Sequence, residues 1–301
     1  MLNNQTAALL RTMKLPAMAA EFLRQMETPA MNALDFDERV GMMTDAEWYS
    51  RKNSHIQKLT KSANLRFSSA CFADIDYRPA RKLERAYIAR LSDFAWVKES
   101  RNIILTGATG TGKTWLACAF GQEACRMGLH AAFYRVNRLI NEMAAATEAG
   151  ALDKFLLKLK KCDLLILDDW GLMTLAPIES RFLLEVFEDR YGERSSIISA
   201  QIPVARWHDL FEDSTIADAV LDRVVNNSYR LELHGPSLRA TADKNPEKCA
   251  PCGAQSQNTY SLSDEDQNTY SLSDESRAGE YSERSGARDI RIDQENGEHD
   301  A

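Results

Sequence analysis

The sequence predicts an α/β fold: a parallel sheet flanked by helices, preceded by a small all-helical N-terminal domain and followed by a disordered tail. Three observations carry this reading. Between 101 and about 234, short apolar runs alternate with helix-length segments, as in a sheet covered on both faces. The first of those runs leads into a glycine-rich loop that opens a helix. Before residue 69 the apolar positions recur at helical spacing, and after 242 they become sparse.

The elements follow in order. In residues 1–68, Leu9-Leu10, Met13, Leu15, Met18 and Phe22-Leu23 repeat at helical intervals, and a second stretch begins near Asp35 with Phe36, Val40, Met42-Met43 and Trp48. Residues 51–66 hold Arg51, Lys52, Lys58, Lys61 and Arg66, plus His55, and no acid. Such a run is commonly a solvated face, yet it also suits a phosphate backbone, so these five cations are the candidate DNA contacts. Residues 69–100 read as a connector, with a loop at 74–79 and a helix over 80–98. The nucleotide domain spans 101–242. Its candidate strands are 102–106, 131–136, 163–168, 195–200 and 229–233, and its candidate helices are 113–127, 137–148, 151–161, 177–191 and 215–226.

Gly107-Ala108-Thr109-Gly110-Thr111-Gly112-Lys113-Thr114 reads G-x-x-x-x-G-K-T, a phosphate-binding loop. Its glycines let the backbone turn N–H groups toward phosphate oxygens. Lys113 is placed to neutralise the β- and γ-phosphates, and the Thr114 hydroxyl to ligate Mg²⁺. The apolar run 102–106 before it and the helix after it supply the strand–loop–helix context that this motif requires.

A second signature is Asp163-Leu-Leu-Ile-Leu-Asp168-Asp169, a buried strand that delivers two carboxylates at its end. Asp168 is the expected Mg²⁺ partner, and Asp169 the group that polarises the attacking water. The next strand ends in Ser199 and Gln201, which would orient that water or simply terminate the strand. Arg223, in a helix after it, is either a surface ion-pair member or an arginine finger aimed at a neighbouring subunit's nucleotide. Arg239 follows the last strand.

Composition narrows the classes further. The formal net charge is −7, but residues 243–301 alone carry 6 basic and 14 acidic side chains. The remaining body is balanced and can present a basic face to nucleic acid. No stretch has the roughly 18 to 20 apolar residues of a membrane span. The N-terminal residues lack a basic segment followed by an apolar core, and a reducing cytoplasm is the expected compartment. Cys71, Cys118, Cys125 and Cys162 sit in apolar surroundings and read as buried free thiols. Cys249 and Cys252 form a C-x-x-C without a second pair beside it. The tail repeats residues 257–265 identically at 267–275, and a polar duplication of this kind cannot build a core.

The loop 107–114, Leu167-Asp-Asp-Trp-Gly-Leu172, Glu188-Asp-Arg-Tyr191, Ser199-Ala-Gln-Ile-Pro203 and Asp222-Arg223 together resemble the IstB family, ATP-binding helpers of bacterial insertion sequences. That family is similar to the DnaC helicase loader and belongs to the AAA+ class. Leu2-Asn-Asn-Gln-Thr6, Asp45-Ala-Glu-Trp48 and Asp74-Ile-Asp-Tyr77 resemble it too, so the likeness runs from residue 2 to about 239. The resemblance implies an AAA+ P-loop core, ATP and Mg²⁺ as ligands, ATP-dependent homo-oligomers on double-stranded DNA and delivery of that DNA to a partner transposase. Gly107–Thr114 match Walker A, Asp168 and Asp169 match Walker B, Arg223 matches the arginine finger, and Arg239 matches the sensor 2 arginine. Two features depart from the pattern. Asp169 stands where many AAA+ proteins carry glutamate, which implies slow hydrolysis. The acidic extension from 243 has no counterpart in the family and reads as an addition.

Two other readings share the same core. A helicase loader would act on single strands, where aromatic stacking platforms help, but no Phe, Tyr or Trp occurs in the basic stretch before Phe67. A nucleotide-gated scaffold would bind ATP and assemble without turnover.

Overall fold

The computed structural model describes residues 2–238. These belong to one unit of the chain, 1–254, and the second unit, 255–301, lies outside them. The sequence expectations for Arg239, the C-x-x-C and the repetitive tail therefore fall outside the described residues.

Five strands form one sheet: β1 (Asn102–Gly107), β2 (Ala131–Arg135), β3 (Leu164–Trp170), β4 (Ser195–Ala200) and β5 (Ser228–Leu233), in the order β2-β3-β4-β1-β5. Every pairing is parallel. A parallel sheet needs cover on both faces, so its strands read as unbroken apolar runs whose alternate residues serve opposite cores. Ile103, Leu105, Leu164, Ile166 and Ile197 enter one core, while Ile104, Leu165, Leu167 and Ile198 enter the other. The first core is closed by α6 (Lys113–Arg126), and the second by α7 (Val136–Glu148), α8 (Leu152–Lys160), α9 (Pro177–Arg190) and α10 (Ser214–Val225). Each fully buried aliphatic side chain contributes roughly 1.5–3 kcal/mol. The result is the α/β architecture that the sequence predicts, one parallel sheet with helices on both faces.

Among the described residues the first three α-helices are α1 (Leu2–Thr12), α2 (Pro16–Glu27) and α3 (Phe36–Ala63). No side chain of its own N-cap residue caps α2. Glu47 of α3 does so instead, accepting from the Ala17 and Met18 amides at 2.9 and 3.1 Å. Arg51 donates to the other Glu47 oxygen, and this bond and the two amides hold the carboxyl below the usual glutamate range. Asp35 and Glu38 form a capping box at the start of α3, and Asn64 ends the helix in the left-handed conformation. Its last turns place Leu59 and Ala63 in the first sheet core. Among the described residues no helix is long and apolar enough to cross a membrane.

One element differs from the sequence expectation. The single helix foreseen over 80–98 is instead a 3₁₀ turn at Pro79–Arg81, then α4 (Arg85–Leu91), then the single turn α5 (Ala95–Lys98). Lys82 and Phe94 both have positive φ, which breaks helical continuity. The Asp93 carboxylate accepts the Ala95 amide at 2.9 Å, an Asx turn, and the chain reversal buries Phe94 against Trp96 and Phe120. Burial of two aromatic side chains outweighs the helix propensity of the segment.

A buried cation ties the second core together. Arg190, at the end of α9, is 2% exposed. It donates to the carbonyls of Leu159, Cys162 and Ser195 and to the Ser196 hydroxyl. Burial lowers its pKa to about 10, so it stays charged at neutral pH. Arg190→Ala would strand those carbonyls, and we expect a loss of about 3 kcal/mol or more in urea denaturation.

Candidate nucleotide site

The site lies at the carboxyl ends of the strands, where β1 passes into the phosphate loop and α6 begins. Gly107 has φ +144, and a Cβ there would run into the Leu233 carbonyl on β5. Gly112 is the N-cap of α6 at φ +89, so the loop turns into the helix through a conformation that favours glycine. The N-terminus of α6 then faces the space that phosphates would fill.

Lys113 is buried, and its Nζ donates to the Gly107 and Ala108 carbonyls, each at 2.8 Å. The Thr114 hydroxyl donates to Asp168 Oδ1 and Oδ2 at 2.9 and 3.0 Å. A hydroxyl and a carboxylate in contact are hard oxygen donors of the kind Mg²⁺ takes, with phosphates and water completing its shell. The two residues fit that ion. Among the described residues no group of three or more His, Cys, Asp or Glu could hold a metal ion.

The strand end carries an irregularity that the apolar pattern does not announce. The register between β3 and β4 shifts between Leu167 and Trp170, and Asp169 has φ +63. This bulge re-aims the two carboxylates. Asp168 turns inward, 1% exposed, onto Thr114. Asp169 faces the cleft, 3.6 Å from Arg135 Nε. Burial, then the Asp168 charge, raise the Asp169 pKa above the ordinary aspartate value, against the pull of Arg135, Arg66 and Lys113.

A cleft of about 270 Å³ gathers Lys113, Thr114, Asp169, Ser199, Gln201 and Trp115. Ser199 is 2% exposed on β4, opposite Leu105 in register. Gln201 accepts from Thr109 at 2.7 Å, which joins the β4 end to the phosphate loop.

Arg223 lies elsewhere. Its backbone carbonyl accepts from Asn102, the first residue of β1, whereas the phosphate loop follows the last. A six-residue strand spans roughly 17 Å, so the chain's own loop is at the far end of the sheet. The guanidinium makes two bonds to Glu188, at 2.5 and 2.6 Å, and lies 6.0 Å from the Tyr191 ring.

The five candidate DNA cations do not share one face. Arg51 is committed to Glu47 and the Lys14 carbonyl. Arg66 lies beyond the end of α3 and lines the nucleotide cleft. Lys52, Lys58 and Lys61 remain exposed on α3, with His55 between them. Sequence reasoning missed Arg135, Glu188 and Arg81, whose partners are distant in sequence, so no spacing rule reveals them.

The profile of the IstB-like ATP binding protein family matches residues 8–245. The chain belongs to the IstB-like ATP-binding protein family. A protein named for ATP binding in insertion sequence IS1162 of Pseudomonas fluorescens is 41% identical, over 67% of this chain and 88% of that one. The IstB-like chain is also 39% identical to the insertion-sequence protein y4pL of Sinorhizobium fredii, named likewise, over 79% of this chain and 97% of that one. Among solved structures, that of the DnaC helicase loader is 21% identical with a TM-score of 0.43, covering 49% of this IstB-like chain and 86% of its own. The DnaI structure is 17% identical with a TM-score of 0.48, covering 59% and 93%.

Proposed function

We propose that this IstB-like protein is an ATP-hydrolysing helper of DNA transposition that oligomerises on double-stranded DNA and presents it to a partner transposase. The observation that carries the reading is a nucleotide site complete in all but its arginine. Lys113, Thr114 and Asp169 line one cleft, with Asp168 bonded to Thr114 behind them, while Arg223 stands at the opposite end of the sheet. An arginine so placed is out of reach of its own chain's nucleotide; in this reading it serves a neighbouring subunit's, and assembly and turnover become one event.

In this account the loop amides and Lys113 hold the β- and γ-phosphates. Thr114 and Asp168 hold Mg²⁺, which supplies positive charge against the phosphate oxygens. The Asp169 carboxylate orients the attacking water and takes its proton, and Ser199 hydrogen-bonds in the same cleft. Arg223 of the adjacent subunit offsets charge on the transferring phosphoryl. Arg239 is the candidate sensor of the bound nucleotide. Lys52, Lys58 and Lys61 meet duplex phosphates without reading bases. Residues 1–68 form the partner-binding domain, 69–100 the connector, 101–242 the ATP-binding domain and 243–301 an acidic tail. Leu9, Met13, Phe36, Trp48 and Tyr49 stay exposed in that first domain, apolar surface of the kind a partner covers.

Subunit mixing tests the shared site. Asp169→Asn and Arg223→Ala proteins, each inactive alone but each with an intact phosphate loop, should regain ATPase activity when combined, because roughly a quarter of head-to-tail interfaces then pair an intact Asp169 with an intact arginine. Absence of any recovery in mixtures that do co-assemble would exclude a site shared between subunits.

The pH profile offers a second test. A carboxyl with a raised pKa keeps its proton to higher pH, so the acid limb of kcat/KM, which reports the free chain, should lie above that of an exposed aspartate. Arg135 opposes that shift. Arg135→Gln should therefore move the acid limb to still higher pH, and an unmoved limb would remove Asp169 from the role of base.

A further inference from the structure

A loop that turns its amides inward toward phosphate must turn its carbonyls outward, and each buried carbonyl needs a donor. For Gly110 and Thr111 those donors come from outside the loop. The Gly110 carbonyl accepts the Leu238 amide at 2.9 Å, from the segment after β5. The Thr111 carbonyl accepts Arg81 Nη2 at 2.5 Å, from the turn Pro79–Arg81 in the connector. The two braces touch each other, since the His234 amide donates to the Arg81 carbonyl at 3.3 Å. A Cβ on Gly112 would lie 3.0 Å from Arg81 Nη2 and 3.1 Å from Leu238 Cδ1, so both braces close on the turn that opens α6.

Arg81 is costly for a residue that merely fills a bond. It is 7% exposed, its Nε has no hydrogen-bond partner among the described residues, and its carboxylate neighbour Asp76 is 3.9 Å away and engaged with Arg78. A neutral donor could serve the Thr111 carbonyl without burying a charge. A buried, weakly compensated cation against the wall of an anion site is offset when the anion arrives.

We infer that Arg81 is a positioning residue of the nucleotide site: it fixes the Thr111–Gly112 turn from behind and lends its charge to phosphates bound in front. This rests on the nucleotide-site reading above and adds the connector to it. The charge acts through the loop rather than by contact with the γ-phosphate. It therefore serves ATP and ADP alike, and serves binding more than turnover. The same bond makes the connector and the segment after β5 sense whether the loop is filled.

Binding of ATP and ADP to the full chain, with ATPase rates at saturating ATP, tests this on Arg81→Met. We expect affinity for both nucleotides to fall by about tenfold, the scale of one charge-assisted hydrogen bond, with kcat altered less than about threefold. Arg81→Lys keeps the charge without the planar fork, so it should recover part of the affinity and guard against a Met variant that fails to fold. Wild-type affinity for both nucleotides in Arg81→Met, whatever its thermal stability, would overturn the inference. So would a loss confined to kcat. Lys113→Ala measured alongside separates the two levels. If Lys113→Ala loses ATP and Arg81→Met does not, only the present inference fails. If neither loses it, the nucleotide-site reading fails as well.

Discussion

Lys113→Ala should lower ATP affinity by at least about a hundredfold, the scale of losing two charge-assisted hydrogen bonds from an ammonium in a shielded site. The ammonium is buried and already spans the mouth of the loop, bonded to the Gly107 and Ala108 carbonyls. Neutral carbonyls hold it only until better acceptors are present, and anionic phosphate oxygens are better acceptors. No other cation in the loop can replace it, because 107–114 contains no second basic residue. Fold stability should change far less, since the strands and α6 are held by the two apolar cores. Calorimetric titration with ATP on a variant of unchanged circular dichroism checks this. Retained affinity would contradict the assignment of the loop.

The second large effect concerns Arg223. Arg223→Ala should reduce ATP turnover in the assembled state by about 10³-fold, the low end of what an arginine finger contributes. ATP affinity of the isolated chain should stay at the wild-type value, because the side chain is at the other end of the sheet from its own loop. The ion pair with Glu188 does not oppose this role. The pair is partly exposed, and such pairs hold with about 1 kcal/mol or less, so an incoming nucleotide on a neighbour can draw the guanidinium away. Wild-type turnover in Arg223→Ala would return this arginine to the status of a surface ion-pair member.

Much of the core was legible because parallel strands must be apolar on both faces. All five strands lie within two residues of the expected bounds at each end. That Lys113, Thr114 and Asp169 would line one cleft was readable because phosphate chemistry fixes both the types and the spacing of such residues. What escaped was set by contacts between distant residues. The helix foreseen over 80–98 breaks at Phe94, whose burial against Phe120 no local pattern encodes. The bulge that aims Asp169 interrupts a strand whose apolar run is otherwise regular. The basic stretch 51–66 looked uniform, yet Arg51 turns to Glu47 and Arg66 leaves the helix for the nucleotide cleft. No local pattern in the sequence announces the burial of Arg190 and Arg81, which are 2% and 7% exposed in the fold.

The central claim is that nucleotide binding, assembly and duplex DNA are coupled in one site shared between subunits. Particle size and ATPase rate, measured together with ATP and Mg²⁺ on duplex DNA, on single-stranded DNA and without DNA, test it most directly. The account predicts large assemblies and stimulated turnover on duplex DNA, both lost in Lys113→Ala. A chain that stays monomeric with ATP on every DNA, or responds only to single strands, would contradict it.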